Sequence, residues 1–122
     1  MKSDTSLFAA IDLGSNAFRL MIGQPVKRSR KIIVQEVKTL REPVRLSEGL
    51  QGGALDELAL DRGWQALARF GKKLRGFEAG RVRAVATSAV READNAQLFL
   101  ASAERHLGFR IDVISGHEEA QL

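Results

Sequence analysis

The start of the chain alternates between apolar and polar positions in a way that predicts three strands. Residues 7–13 form a short apolar run, which is typical of a strand buried on both faces. Gly14-Ser15-Asn16 predicts a tight turn, since glycine and asparagine tolerate positive φ. Apolar side chains at every second position over residues 18–22 predict a half-buried return strand, and the run from Ile32 to Leu40 predicts a third strand. The short links between them predict an antiparallel meander.

The middle of the chain changes from strand-like to helical periodicity. Residues 42–53 are predicted to be irregular, because a proline and a pair of glycines interrupt any periodic pattern. Asp56 is a suitable N-cap for a helix that ends near Gly76. The apolar stripe of this helix consists of Leu60, Trp64, Leu67, Phe70 and Leu74. These aromatic side chains are therefore expected to pack in the core.

Two more strands and a second helix follow. Val82–Ala86 predicts a fourth strand, and Ile111–Ile114 predicts a fifth. Between them, Asn95 is a good N-cap for a helix that Gly108 ends. The apolar face of that helix carries Ala96, Phe99, Leu100, Ala103 and Leu107, which leaves His106 on a solvated face. A further helix is predicted to begin near His117.

The predicted order of elements is therefore β-β-β-α-β-α-β, in a chain of 122 residues that has room for one domain. Strand–helix–strand connections imply right-handed crossovers and parallel strands. We therefore expect an α/β fold with a mixed five-stranded sheet, antiparallel at first and parallel later.

Composition narrows the class of protein. The chain has no cysteine, which excludes disulfides, thiolate catalysis and zinc–thiolate sites. Hydrophobic residues make up 44% and charged residues 28%, as in ordinary globular proteins. The first six residues are polar and unlike a signal peptide, and no apolar run is long enough to span a membrane. We therefore expect a cytoplasmic location.

The formal net charge of +4 is unevenly distributed. A basic segment between Gln24 and Leu46 contains Lys27, Arg28, Arg30, Lys31, Lys38, Arg41 and Arg45, opposed only by Glu36 and Glu42. This segment is either a solvated hairpin edge, where charges prevent aggregation, or a field that attracts a polyanion. Nucleic acid, polyphosphate and a membrane surface all remain candidates for that polyanion at this point.

Small polar residues follow three of the predicted strands, at residues 12–16, 87–88 and 115–119. In open α/β sheets, ligands bind beyond the carboxyl ends of the strands, so these corners are expected to face one crevice. The first corner offers a carboxylate for a metal and backbone N–H groups for a phosphate. The last corner places Glu118 and Glu119 near a helix N-terminus, where a carboxylate is either catalytic or only a favourable partner of the helix dipole.

Four segments, in order along the chain, resemble the signatures of the exopolyphosphatase and guanosine pentaphosphate phosphatase family. FAAIDLGSNAFRL at residues 8–20 is similar to the family's opening phosphate motif. RLSEGL at 45–50, ATSAVREADN at 86–95 and VISGHEEAQL at 113–122 resemble its later segments. Together they cover essentially the whole chain.

The resemblance implies a ribonuclease-H-like lobe of the actin-like, sugar kinase and Hsp70 superfamily. It also implies release of a terminal phosphate from polyphosphate or guanosine pentaphosphate with Mg²⁺. The roles it implies for residues are Asp12 as the metal ligand, Glu119 as the catalytic base, and Gly14, Ser15, Asn16, Arg19 and Arg91 as substrate-binding residues. No specific nucleic acid is implied, and a homodimer of the full-length protein is allowed.

The chain departs from the family pattern in two ways. Ala17 stands where the family commonly has serine, which removes one hydroxyl contact. Residues 1–122 would also be only the N-terminal lobe, without the second phosphate loop or second lobe, so we expect the fragment alone to be inactive. The alternatives are an actin-like kinase or ATPase lobe, a ribonuclease-H-like nucleic-acid protein, and a non-catalytic polyanion-binding module.

Overall fold

The computed structural model describes residues 7–87, 90 and 93–114, and in this part of the chain the predicted mixed sheet is confirmed. Its five strands are β1 (Phe8–Leu13), β2 (Phe18–Arg28), β3 (Lys31–Glu42), β6 (Val82–Ala86) and β7 (Ile111–Val113). They lie in the order β3-β2-β1-β6-β7. The pairs β1–β2 and β2–β3 are antiparallel, and β1–β6 and β6–β7 are parallel.

A two-stranded hairpin and two helices complete the described elements. The hairpin consists of β4 (Leu50–Gln51) and β5 (Ala54–Leu55), and the helices are α1 (Glu57–Lys73) and α2 (Ala96–Leu107). Short 3₁₀ turns occupy Leu46–Gly49 and Ala79–Arg81. The prediction of an irregular segment at 42–53 is therefore wrong for its second half. The Gly52–Gly53 pair breaks the helical period because both residues have positive φ, as a two-residue hairpin turn requires.

Within the described residues, α1 and α2 pack on one face of the sheet and leave the other face open. Alternate residues of β1 (Ala9, Ile11 and Leu13) are buried, whereas Ala10 and Asp12 between them are exposed. The expectation that β1 is buried on both faces is therefore wrong. A strand buried on both faces and a strand with small residues on its open face look alike in sequence.

The two helices differ in how they begin. Asp56 caps α1 as predicted, since its side chain accepts a hydrogen bond of 2.8 Å from the Ala59 N–H. Asn95 stands at the N-cap position of α2 but does not cap it. Its side-chain amide instead donates to the Leu55 carbonyl and accepts from the Leu55 N–H, both at 2.9 Å. Asn95 therefore joins α2 to the β4–β5 hairpin, a long-range pairing that local sequence does not reveal.

His106 is half-buried rather than solvated. Its ring lies parallel to that of Trp64 at 6.0 Å between centroids, and Trp64 stacks on Phe99 at 6.4 Å. The Trp64 Nε1–H also donates to the Phe99 carbonyl at 3.0 Å. These contacts confirm that Trp64 packs between the helices, with its polar edge satisfied.

We expect Gly71→Ala to lower the free energy of unfolding, because α1 and α2 approach each other closely at Gly71. A Cβ there would lie 2.7 Å from the Leu107 carbonyl oxygen and 2.9 Å from that of His106. Overpacking of this kind typically costs about 1–3 kcal/mol. Urea denaturation of this variant, with Gly80→Ala as the control, tests the prediction. A Cβ on Gly80 meets nothing within 4 Å, so equal losses in both variants would contradict it.

Candidate functional site

The carboxyl ends of the three parallel strands meet at one edge of the sheet, as the sequence predicted. The Thr87 N–H after β6 donates to the carbonyl of Leu13, the last residue of β1, at 3.4 Å. The Ile114 N–H after β7 donates to the Ala86 carbonyl at 3.1 Å. The loop of residues 14–17 after β1 therefore lies at the same edge of the sheet as Thr87 and Ile114.

This loop, which we call the phosphate loop because the sequence predicts that it binds phosphate, is closed by a hydrogen bond of 3.2 Å from the Gly14 N–H to the Ala17 carbonyl. Neither Gly14 nor Asn16 has a positive φ, so the conformational reason given for the turn is wrong. A Cβ on Gly14 would lie 3.1 Å from the Ala17 oxygen. The tight turn therefore favours glycine because of this close approach.

The segment 44–49 packs behind the phosphate loop and orients its peptide groups. The Arg45 N–H donates to the Asn16 carbonyl at 2.8 Å, and the Ser47 N–H donates to the Ser15 carbonyl at 3.2 Å. In a trans peptide the carbonyl and the following N–H point in opposite directions. The N–H groups of Asn16 and Ala17 therefore point away from this segment. Neither donates to a backbone carbonyl within the described residues, so both are available to an anion.

Arg62 on α1 holds segment 44–49 in place. Its Nε donates to the Val44 carbonyl at 2.7 Å, and its Nη2 donates to the Arg45 carbonyl at 3.2 Å. Arg45 has φ 56° and ψ 50°, a left-handed conformation that is strained for a residue with a side chain. Sequence reasoning missed Arg62, because nothing local indicates that this half-buried residue binds a distant loop.

One row of side chains crosses the open face of the sheet next to the phosphate loop. The strand registers place Asp12 opposite Arg19 and opposite Val85, Arg19 opposite Arg41, and Val85 opposite Asp112. Neighbouring strands lie about 4.8 Å apart, so Asp12, Arg19 and Arg41 can act on one ligand. Asp112 lies two strands from Asp12 and makes an ion pair of 3.2 Å with Arg110. The part of this row beside the phosphate loop thus contains two cations, Arg19 and Arg41, and one carboxylate, Asp12.

Sequence reasoning did not place Arg41 beside Arg19, because a β-bulge decides that pairing. The β2–β3 register shifts between Ile22 and Gly23, so one residue of β3 is left without a partner. Without the shift, Arg19 would face Leu40 and Arg41 would point to the helical side. The bulge carries no local sequence signal that could have found Arg41.

Of the residues predicted to form the site, the structure brings Asp12, Gly14, Ser15, Asn16 and Arg19 together. Arg91 and Glu119 lie outside the described residues, as does the helix predicted from His117. A cleft of about 810 Å³ runs from Asp12 and Arg19 along the open face. Its walls are otherwise mostly apolar, with Phe8, Ala10, Met21 and Val85 among them.

The cations of the basic segment do not form a single positively charged surface. Arg41 and Arg45 lie at the phosphate-loop end of the sheet, beside Arg19 and Asn16 respectively. The cations from Lys27 to Lys31 lie at the other end of the β2–β3 hairpin. Arg45 and the hairpin cluster therefore lie at opposite ends of the hairpin.

Comparison with known proteins gives a consistent family signal. The model of the Ppx/GppA phosphatase family matches residues 25–122. The Ppx/GppA family member of Aquifex aeolicus is 31% identical, with a TM-score of 0.79 over 93% of this chain. An exopolyphosphatase from Cytophaga hutchinsonii is 28% identical, with a TM-score of 0.82 over 94% of this chain.

This chain spans 36% of the length of each of these two solved proteins. RuvC from Thermus thermophilus is only 11% identical but has a TM-score of 0.53, which shows a shared ribonuclease-H-like fold. Among the helices of the described residues, none is both long and apolar enough to cross a membrane.

Proposed function

This chain belongs to the Ppx/GppA phosphatase family, and we propose from that premise that it is the N-terminal lobe of a longer phosphoanhydride hydrolase. The support for a lobe is that solved family members are nearly three times as long as the part of them that this chain matches. The proposed reaction is release of the terminal phosphate of inorganic polyphosphate or guanosine pentaphosphate by water.

The orientation of the phosphate loop is the observation that carries this proposal. Two N–H groups, those of Asn16 and Ala17, point away from the supporting segment at the edge where the parallel strands end. Arg19 on the adjoining strand supplies a positive charge beside them. This combination is suited to a terminal phosphate, whose oxygens accept hydrogen bonds and carry negative charge.

The remaining roles follow family position. Gly14, Ser15 and Asn16 cradle the phosphate, and Arg91 neutralises charge on the transferred group together with Arg19. Glu119 orients the attacking water and accepts its proton. Ala17 contributes only its backbone N–H, so the hydroxyl contact of a serine is missing at this point of the loop.

The donor set fits Mg²⁺ with Asp12 as its protein ligand. Mg²⁺ is usually held by one or two carboxylates together with substrate phosphates and water. Asp12 is exposed and lies beside the phosphate loop, so a metal there could contact both its carboxylate and the substrate. When bound, Mg²⁺ supplies positive charge to the phosphate oxygens.

One observation keeps the ribonuclease-H-like alternative worth testing. Asp112 lies on β7 in the same side-chain row as Asp12, which puts a second carboxylate on the open face. The ion pair with Arg110 offsets the negative charge of Asp112. Asp112 also lies two strands away from Asp12, which corresponds to about 10 Å. This distance favours a site built on Asp12 and the loop. The actin-like kinase lobe, a cytoplasmic location and a homodimer stay predictions.

We expect chain 1–122 alone to release almost no phosphate from polyphosphate with Mg²⁺, whereas the longer protein turns over. Phosphoryl transfer depends on positioning and on charge from several sides of the transferred group, and one lobe supplies only one side. A phosphate-release assay on both proteins at equal concentration decides this. Full turnover by the isolated chain would contradict the lobe assignment. An inactive longer protein that nevertheless cleaves single-stranded or branched DNA would favour the nuclease alternative.

A further inference from the structure

The tip of the β2–β3 hairpin projects beyond the rest of the sheet. The first residue of β1, Phe8, lies opposite Gly23, and five more β2–β3 pairs follow, from Gln24–Gln35 to Arg28–Lys31. Within the described residues, no other strand flanks these five pairs. Every side chain from Lys27 to Thr39 is exposed. The projecting part therefore extends about 17 Å from its last contact with β1.

Four cations crowd this tip. Arg30 lies in the two-residue turn, and Lys27, Arg28 and Lys31 lie on the strands beside it. None of the four makes an ion pair within the described part of the chain. Arg28 lies directly opposite Lys31, and like charges in that position destabilise a sheet. Ser29 in the turn has φ 55°, a strained value for a residue with a side chain. An anion bound at the tip would relieve the charge repulsion.

The position of the cations decides which polyanion fits. Ile32 and Val34 are 74% and 59% exposed, but they lie behind the charged turn. Inserting them into a lipid bilayer would drag the cations into the hydrocarbon, which is costly. No aromatic residue occurs between Gln24 and Glu42, so the hairpin lacks the side chains on which single-stranded nucleic acids stack. A flexible phosphate polymer needs neither apolar side chains that enter a bilayer nor aromatic side chains for stacking.

We propose that this tip, comprising Lys27, Arg28, Arg30 and Lys31, is a second binding site for inorganic polyphosphate. β2 runs from Phe18 beside the phosphate loop to Arg28, and ten residue steps correspond to about 33 Å. A polymer long enough to reach both sites gains affinity from the second contact, whereas a short one cannot. The tip thus selects long chains. This inference rests on the proposed function only in the choice of polymer.

The test measures binding of long-chain polyphosphate and of tripolyphosphate to the 122-residue chain at several salt concentrations. The tip variant is Arg28→Gln, Arg30→Gln and Lys31→Gln combined. The control is Lys72→Gln, Lys73→Gln and Arg75→Gln, which removes the same charge from exposed residues at the end of α1. Circular dichroism checks that both variants stay folded.

We expect the tip variant to bind the long polymer at least about tenfold more weakly. The slope of the logarithm of its binding constant against the logarithm of the salt concentration should become shallower by about 2, since each of the three lost phosphate contacts accounts for about 0.7. The control variant should bind nearly as the wild-type chain does, and tripolyphosphate binding should not change in either variant. Equal losses in both variants would show that net charge alone attracts the polymer, and unchanged binding would leave the tip as a solvated edge. Either result overturns the proposal.

Two more probes test the choice of polymer. A single-stranded oligonucleotide or an anionic vesicle that binds the tip more tightly than polyphosphate would overturn it. A failure of the proposed function would give a different experimental result from a failure of the tip site. If tripolyphosphate does not bind at all but the tip variant still loses the long polymer, then the phosphate loop assignment fails and the tip site stands.

Discussion

Asp12→Asn is expected to lower phosphate release in the longer protein by about 10²–10³-fold, the loss typical when one preorganised electrostatic group leaves an active site. The substitution keeps the size of the side chain and removes its negative charge. Asp12 lies beside the phosphate loop and directly opposite Arg19. Its carboxylate therefore stands where it can hold Mg²⁺ against the substrate phosphates. Half-maximal activity should also require a higher Mg²⁺ concentration.

Asp112→Asn is the matched control for this prediction. Asp112 lies in the same row on the same face, but two strands from Asp12 and in an ion pair with Arg110. If Asp12 is the metal ligand of a phosphatase site, Asp112→Asn should change the rate and the Mg²⁺ requirement by less than about threefold, since exposed ion pairs contribute little. Comparable losses in both variants would indicate a two-carboxylate site and contradict the single-ligand assignment.

The strands and helices could be predicted because local patterns specify them. The alternation over residues 18–22 of β2 and the 3.6-residue stripe of α1 are periodic, and the burial of these residues follows the same periods. The antiparallel and parallel parts of the sheet also followed, because short links favour antiparallel neighbours and crossover helices favour parallel ones. The edge that holds Asp12 and the phosphate loop was thereby located from sequence alone.

What the sequence did not reveal depends on contacts between distant segments. The bulge at Gly23 moves Arg41 to the open face and beside Arg19. Arg62 reaches two carbonyls of segment 44–49, and Asn95 leaves its capping role to pair with Leu55. Each of these is a strand register or a hydrogen bond between residues that are far apart in the sequence. Neither periodicity nor composition provides a signal for such contacts. The hydrogen bonds by which segment 44–49 and Arg62 hold the phosphate loop in place are therefore known only from the structure.

Glu119→Gln is expected to lower kcat of the longer protein by about 10²–10⁴-fold, the usual contribution of a general base, with substrate binding mostly retained. The glutamine keeps the size and the hydrogen-bonding capacity of the side chain but cannot accept the proton of the attacking water. Glu119 lies outside the described residues, so the assignment follows family position. The path of the chain supports it. Ile114 lies beside Ala86 at the phosphate-loop edge, and five residues can span at most about 18 Å from there.

The neighbouring carboxylate provides the control for this prediction. The sequence predicts a helix from near His117, in which successive residues point about 100° apart, so Glu118 and Glu119 cannot both face the same water. Glu118→Gln should therefore keep near-normal kcat. Steady-state kinetics of both variants, together with polyphosphate binding by Glu119→Gln, separate a lost base from a lost binding site. A dead Glu118→Gln beside an active Glu119→Gln would reverse the assignment. Equal partial losses in both would mean that the two carboxylates act only through the charge at the start of the predicted helix.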